Sequence, residues 1–262
     1  MKNKQSKVQS EELLKEAQRL GLWGIVKDWN TFKNEKWIVS LIEAEQKERH
    51  QRSLARRFKQ AKLGRFRTIT DFNWKWPKEI NRRAIENLLK LDFISEPENI
   101  IIIGASGVGK TMIAKNIVEQ AVLNGYTALF VTAMEMLNDL ATKDSGSALV
   151  RRLHYYAKPD VLVIDEIGYL ASTADYANLL FEVVTLRYEK NPIILTSNKP
   201  ITQWGEVFPG SACVVALVDR LIHKAQIFTI IADSYRLKEA TERASSNKQT
   251  PNVKNHREGN QK

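Results

Sequence analysis

One cysteine, Cys213, stands in a chain of 262 residues. It has no partner for an internal disulfide and cannot build a cysteine-based metal site, so a reduced, cytosolic protein is expected. No apolar stretch follows the lysines of the N-terminal MKNKQSKVQS, which excludes a signal peptide there. The apolar runs, such as IIII at 100–103 and VLVI at 161–164, are strand-sized, whereas a membrane span needs roughly 20 residues. No membrane partner is therefore expected. Internal repeats are absent. Between Trp37 and Leu63 there is neither Gly nor Pro, consistent with one long helix or two closely joined. From Ser245 onward Val253 is the single aliphatic residue. Residues 241–262 are expected to form a disordered basic tail, because they bury too little to offset ordering entropy.

What is present is an ordinary globular composition, 43% hydrophobic and 27% charged, with a net charge of +10. The excess is uneven. Residues 1–75 hold 18 Lys+Arg against 9 Asp+Glu, and residues 76–262 hold 22 against 21. Such asymmetry points to a polyanion bound at one end of the molecule, with a solvated helix face as the alternative. At 100° per residue, Leu54, Phe58 and Ala61 share a sector of about 60°. Arg49, Arg52, Arg56 and Lys59 share one of about 80° on another side, where four aligned cations could follow a phosphate backbone. Trp23, Trp29, Trp37 and Phe58 read as core or subunit contacts, not as stacking platforms for bases.

The stretch GRFRTITDFNWKWP (64–77) breaks the helical pattern and ends in Pro, so the domain boundary is placed there. A helix is expected from Ile80 to Leu91, with Ile85, Leu88 and Leu89 on its apolar side. Apolar runs at 100–103, 127–131, 161–164, 193–195 and 227–231 then alternate with helical segments. Continuous buried runs separated by helices indicate an α/β domain with a five-stranded, mainly parallel sheet.

The first of these runs leads into Gly104, Ala105, Ser106, Gly107, Val108, Gly109, Lys110 and Thr111, followed by Met112 in a helical pattern. This is G-x-x-x-x-G-K-T between a strand and a helix, the setting in which backbone N–H groups cradle phosphates. Lys110 would reach the β- and γ-phosphates of ATP, and the Thr111 hydroxyl would bind Mg²⁺. About 55 residues on, VLVIDE places Asp165 and Glu166 at a strand's C-terminal end. Asp165 can hold Mg²⁺ and Glu166 can polarise an attacking water. In IILTSNKP, Asn198 at the end of another strand is a candidate contact to the γ-phosphate.

GASGVGKT, VLVIDEIGY, IILTSNKP, ALVDRL and DSYR, in this order and spacing, resemble the IstB-like ATPases. These are AAA+ proteins encoded beside the transposase of one class of bacterial insertion sequence, and DnaC-like helicase loaders are their relatives. The resemblance spans about residues 10–240, and RSLARRFKQAKL followed by DFNW favours the transposition helper. It implies a basic helical domain at 1–66 for DNA binding and oligomerisation, a linker at 67–78 and an AAA+ ATPase domain at 79–240. It implies further that Arg220 is an arginine finger entering a neighbour's ATP site and that Arg236 is a sensor for its own nucleotide. Partners would be duplex DNA, other copies of the chain forming composite ATP sites, and a transposase, in the bacterial cytoplasm. Arg57 and Lys62 join the expected DNA contacts, together with Lys143, Arg151 and Arg152 from the segment before the acidic strand. A helicase loader and an architectural scaffold using ATP only for assembly remain alternatives. The sequence departs from the family at Ala232, where Gly is usual, and at Gly64, where Pro is common.

Overall fold

The computed structural model describes residues 2–169, 174–208 and 212–248. The chain forms two compact units that divide between Lys59 and Gln60. The first contains α1 (Lys2–Arg19), α2 (Trp23–Lys27), α3 (Trp29–Phe32) and most of α4 (Lys36–Ala61). With no Gly or Pro to interrupt it, α4 is one helix of 26 residues. Ala17, Leu20, Ile38 and Ile42 are its unit's buried centre, and Trp29 packs against them. Trp23 and Trp37 are not core residues, at 65% and 46% exposure. Leu54 and Phe58 are half-buried and Ala61 is buried, while Arg49, Arg52, Arg56 and Lys59 are exposed.

The second unit starts with an irregular strap, residues 62–78, that carries one 3-10 turn at Ile69–Asp71. Next come α5 (Arg82–Leu88) and α6 (Asp92–Ser95). The helix expected over 80–91 is shorter, running from Arg82, capped by Asn81, to Leu88, and left-handed Leu91 (φ 69°) separates it from α6; Ile85 and Leu88 are buried as expected. Then follow β1 (Asn99–Gly104), α7 (Lys110–Leu123), β2 (Ala128–Thr132), α8 (Ala133–Ala141), α9 (Gly146–Ala157) and β3 (Val161–Asp165). The chain continues as α10 (Ala174–Arg187), β4 (Ile193–Ser197), α11 (Trp204–Val207), α12 (Val214–Ile222), β5 (Ala225–Ile230) and α13 (Tyr235–Lys248).

The five strands form one sheet in the order β2-β3-β4-β1-β5, and every pairing is parallel. Ile100, Ile101 and Ile102, like Val161 to Ile164, have no appreciable exposure, because helices cover both faces. Parallel pairing puts all strand C-termini on one edge. The order places β4 between β1 and β3, so the loops after these three strands are neighbours. They meet where the order turns back, between β1 and β4.

The stretch expected to be a disordered tail from residue 241 is helical through Lys248, and residues 249–262 lie outside the described residues. The helix has local support that composition does not reveal. Ser234 Oγ accepts the Leu237 N–H at its start, and Lys238–Glu242 and Arg243–Glu239 pair at i,i+4.

At the opposite edge of the sheet, Arg187 at the end of α10 is 1% exposed. Its guanidinium donates to the carbonyls of Tyr156, Ala157, Pro159, Asp160 and Pro192. It thus ties the end of α9 to the residues that lead into β3 and β4. Burial pushes its pKa down to about 9, partly opposed by Asp160, and the carbonyl contacts offset that burial cost. Arg187→Met should lower the unfolding free energy by about 3 kcal/mol or more, because several buried carbonyls lose their donor. Urea denaturation measures this, and an unchanged midpoint would show that the clamp is dispensable.

Candidate nucleotide-binding site

The loop between β1 and α7 owes its shape to two left-handed glycines, Gly107 (φ 82°) and Gly109 (φ 104°). Close packing also excludes a side chain at either position. A Cβ on Gly107 would lie 2.4 Å from Ser234 Oγ, and one on Gly109 would lie 2.5 Å from Phe72 Cε2. The loop delivers Lys110 and Thr111 to the first turn of α7, whose free N–H groups and dipole favour an anion. Lys110 is only 8% exposed. Its Nζ donates to Gly104 O (2.7 Å) and Ala105 O (2.8 Å), which leaves one of its three hydrogens. Burial lowers its pKa; Asp165 and Glu166 act against that, and Arg236 adds to it.

Asp165, 3% exposed, ends β3 and gathers the other groups. Thr111 Oγ1 donates to its two carboxylate oxygens, at 3.1 and 2.9 Å. Thr196 of β4, fully buried, donates to Asp165 Oδ1 through its hydroxyl. The same Thr196 oxygen accepts the Glu166 N–H at 2.9 Å. Glu166 needs this anchor, since its φ of 64° costs a non-glycine residue about 1–2 kcal/mol. Asn198, just past β4, packs so closely on Gly168 that a Cβ there would lie 1.6 Å from Asn198 Oδ1.

A cavity of about 440 Å³ opens beside these groups. Ser106 to Met112, Glu166, Asn198 and Arg236 border it, so the loops after β1, β3 and β4 and the starts of α7 and α13 contribute to one site. Arg236 is placed by the contact of α13 with the phosphate loop, where Tyr235 N–H donates to Gly107 O at 3.2 Å. Ala232, the departure from the family pattern, leaves Arg236 on the cavity wall. One feature fits the site to a phosphate ligand: Lys110 and Arg236 face the same space with no carboxylate paired to either among the described residues.

The segment expected to be a linker does more than link. Phe66, Arg67, Phe72 and Trp76 form another wall of the cavity. Asn116 on α7, 3% exposed, holds the strap in place. It accepts Ile69 N–H at 2.7 Å and donates to Arg67 O at 3.0 Å. Lys115 donates to Leu63 O at 2.6 Å, and Arg67 makes two contacts to Glu239 on α13. Sequence reasoning missed Asn116, Thr196 and this wall. The available signals were an amide, Asn116, set among the apolar residues of α7 and the aromatic density of DFNWKW.

Arg220 is absent from the lining of this cavity. It rests half-buried on α10 instead. The expected DNA contacts are also sorted by the structure. Arg49 and Arg52 form exposed i,i+4 pairs with Glu45 and Glu48, whereas Arg56 and Lys59 have no carboxylate partner among the described residues. Arg57 donates to Ser53 Oγ, and Lys62 lies over the Tyr155 ring. Arg151 is exposed. Lys143 and Arg152 both pair with Asp139. Burial would raise the Asp139 pKa, but hydrogen bonds from Tyr156, Arg152 and Lys143 outweigh it and hold the carboxyl at about 2. Arg152 thereby braces α9 against α8, Lys143 pairs locally just past α8, and one acid neutralises part of both charges.

Thr196→Val keeps the side-chain volume and removes the hydroxyl shared by both acids. It should lower the unfolding free energy by about 2 kcal/mol, since a buried N–H and a carboxylate oxygen lose their partner. Chemical denaturation checks this, and wild-type stability would show that the hydroxyl does not anchor the acids.

Comparison with known proteins agrees with this geometry. Residues 20–243 match the family model described as IstB-like ATP binding protein. The chain is 40% identical over 203 residues to the ATP-binding protein of insertion sequence IS5376 from Geobacillus stearothermophilus, covering 78% of this chain and 81% of that one. It is 36% identical to the corresponding protein of IS21 from Pseudomonas aeruginosa, covering 78% and 77%. Among solved structures, DnaI superposes with a TM-score of 0.53 at 17% identity, covering 66% of this chain and 91% of that one. DnaA from Aquifex aeolicus bound to AMPPCP gives 0.51 at 21% identity, covering 70% and 59%. At these identities the structural likeness speaks to the fold, which is the AAA+ core expected from the motifs. The match across most of its length, on a sheet that brings the phosphate loop, acid pair and polar amide together, makes this chain a member of the IstB-like ATP-binding protein family.

Proposed function

We propose that the chain hydrolyses ATP, assembles with copies of itself through composite ATP sites, and holds duplex DNA for the transposase of an insertion sequence in the bacterial cytoplasm. The observation that carries this reading is the convergence of Lys110, Thr111, Asp165, Glu166, Asn198 and Arg236 on one site. The names of the relatives, ATP-binding proteins of insertion sequences, support the biological setting.

In this reading Lys110 and the loop N–H groups bind the β- and γ-phosphates, and Arg236 approaches from α13. Thr111 and Asp165 are the groups that would hold Mg²⁺, which supplies charge neutralisation at the phosphoryl oxygens when bound. Glu166 orients and deprotonates the attacking water, and Asn198 fixes that water against the γ-phosphate. The aromatic strap, Phe72 and Trp76, takes the base end of the nucleotide. Arg220, outside its own cavity, supplies a cation to the site of a neighbouring protomer. Such a heterologous contact builds rings or helical filaments.

The exposed row Arg49, Arg52, Arg56 and Lys59 meets DNA phosphates, with Arg57, Lys62 and Arg151 as further contacts. The pairs to Glu45 and Glu48 are no obstacle, because exposed ion pairs contribute about 0–1 kcal/mol and yield to a phosphate. Lys143 and Arg152 are set aside, since Asp139 already offsets them. Binding of this kind depends on phosphate spacing and DNA shape and has little base preference.

Glu166→Gln should still bind ATP and assemble on DNA while its turnover falls by about 100-fold or more. Phosphate release and particle size, measured with and without duplex DNA, test this; normal turnover would remove Glu166 as the base. Replacing Arg49, Arg52, Arg56 and Lys59 by Ala together should weaken DNA binding. It should also flatten the salt dependence by roughly 0.9 log unit per lost phosphate contact. An unchanged slope would return α4 to a solvated face.

A further inference from the structure

Arg220 stands on α12, outside its own cavity, yet it is restrained. Its guanidinium lies over the Phe181 ring of α10, 4.4 Å from the centroid, and donates to Thr185 Oγ1. Phe181 and Thr185 are one helical turn apart and so present a ring and a hydroxyl to the same spot. The Thr185 hydroxyl donates its own hydrogen to Phe181 O at 2.6 Å. Its hydrogen is thereby spent, and a lone pair is what the guanidinium meets. One turn further on, the Tyr188 hydroxyl lies 3.0 Å from His223 Nδ1, which fixes α12 against α10 a second time.

The chemistry of this seat is selective. A carboxylate would hold an arginine more strongly and cancel its charge, and no carboxylate pairs with Arg220 among the described residues. A ring face and a neutral hydroxyl restrain the long side chain while leaving its full charge and most of its five N–H donors available. A cation that must stabilise charge developing on a phosphoryl group works best when already oriented, because no reorganisation is then needed during the reaction.

We propose that Phe181 and Thr185 are positioning residues that hold Arg220 ready for the ATP site of a neighbouring protomer. The proposal rests on Arg220 acting in trans, and the experiment separates the two claims. Steady-state ATPase on duplex DNA is measured for the full chain carrying Arg220→Ala, Thr185→Val or Thr185→Ser. Thr185→Val should lower kcat by about fivefold to tenfold, with KM for ATP within twofold and an unchanged thermal midpoint. Thr185→Ser, which keeps the hydroxyl, should restore most of the rate. In mixtures, Lys110→Ala protomers should lend their finger to Arg220→Ala protomers and recover activity. Lys110→Ala/Thr185→Val protomers should recover several-fold less. If the double variant complements as well as Lys110→Ala alone, or Thr185→Val turns over normally while Arg220→Ala does not, the seat is wrong and the finger stands. If Arg220→Ala itself keeps full activity, the trans finger fails and the seat falls with it.

Discussion

The carboxylate of Asp165 ends β3 in a place where water hardly reaches, and two separate elements answer it. The Thr111 hydroxyl comes from the first turn of α7, and the Thr196 hydroxyl comes from the neighbouring strand β4. A buried carboxylate without such donors would be costly, so the strands must keep the order and register that supply them. The same Thr196 oxygen then holds Glu166 in a left-handed conformation it would not otherwise adopt. Thr111, Asp165 and Glu166 are thus placed by one polar network inside a parallel sheet.

Around that network the chain closes the site with segments remote in sequence. Asn116 uses its amide to bind the strap's main chain, and Phe72 on that strap reaches the α-carbon side of Gly109. The start of α13 reaches Gly107 from another direction. The phosphate loop therefore has glycines for two reasons, backbone conformation and close approach by neighbours. Below the sheet, Arg187 does for five carbonyls what the threonines do for one carboxylate. α10 accordingly ends in a structural arginine, and Phe181 and Thr185 on it contact a second arginine, Arg220 of α12.

Much of this was legible in the sequence because its signals are local. Short, mostly aliphatic and β-branched runs between helical segments read as strands, and all five runs fall on strands, although the edge strand β5 leaves Ile227 half exposed. The spacing from Gly104 to Thr111 encodes a loop whose shape depends on its own glycines. Elsewhere the signal is not local. Residues 67–78 look like a linker because their hydrogen-bond partners, Asn116 and Glu239, lie far away along the chain. Arg152 looks like a free cation until folding brings it from α9 to Asp139 on α8. Residues 241–248 look like tail, yet the helix that contains them is tied by Glu239 to Arg67, far back in the chain.

By itself the sequence determined the strand set, the phosphate loop, the identity of the acids and the concentration of basic charge before residue 76, since each is written in neighbouring residues. Tertiary structure alone decided which distant side chains answer those groups. Thr196 supports both acids because β4 pairs beside β3, and the strap becomes a wall because α7 offers it a buried amide. Arg220 is withheld from its own cavity because α12 packs on α10. Strand order and helix packing bring such partners together across the chain, and no local pattern encodes that proximity.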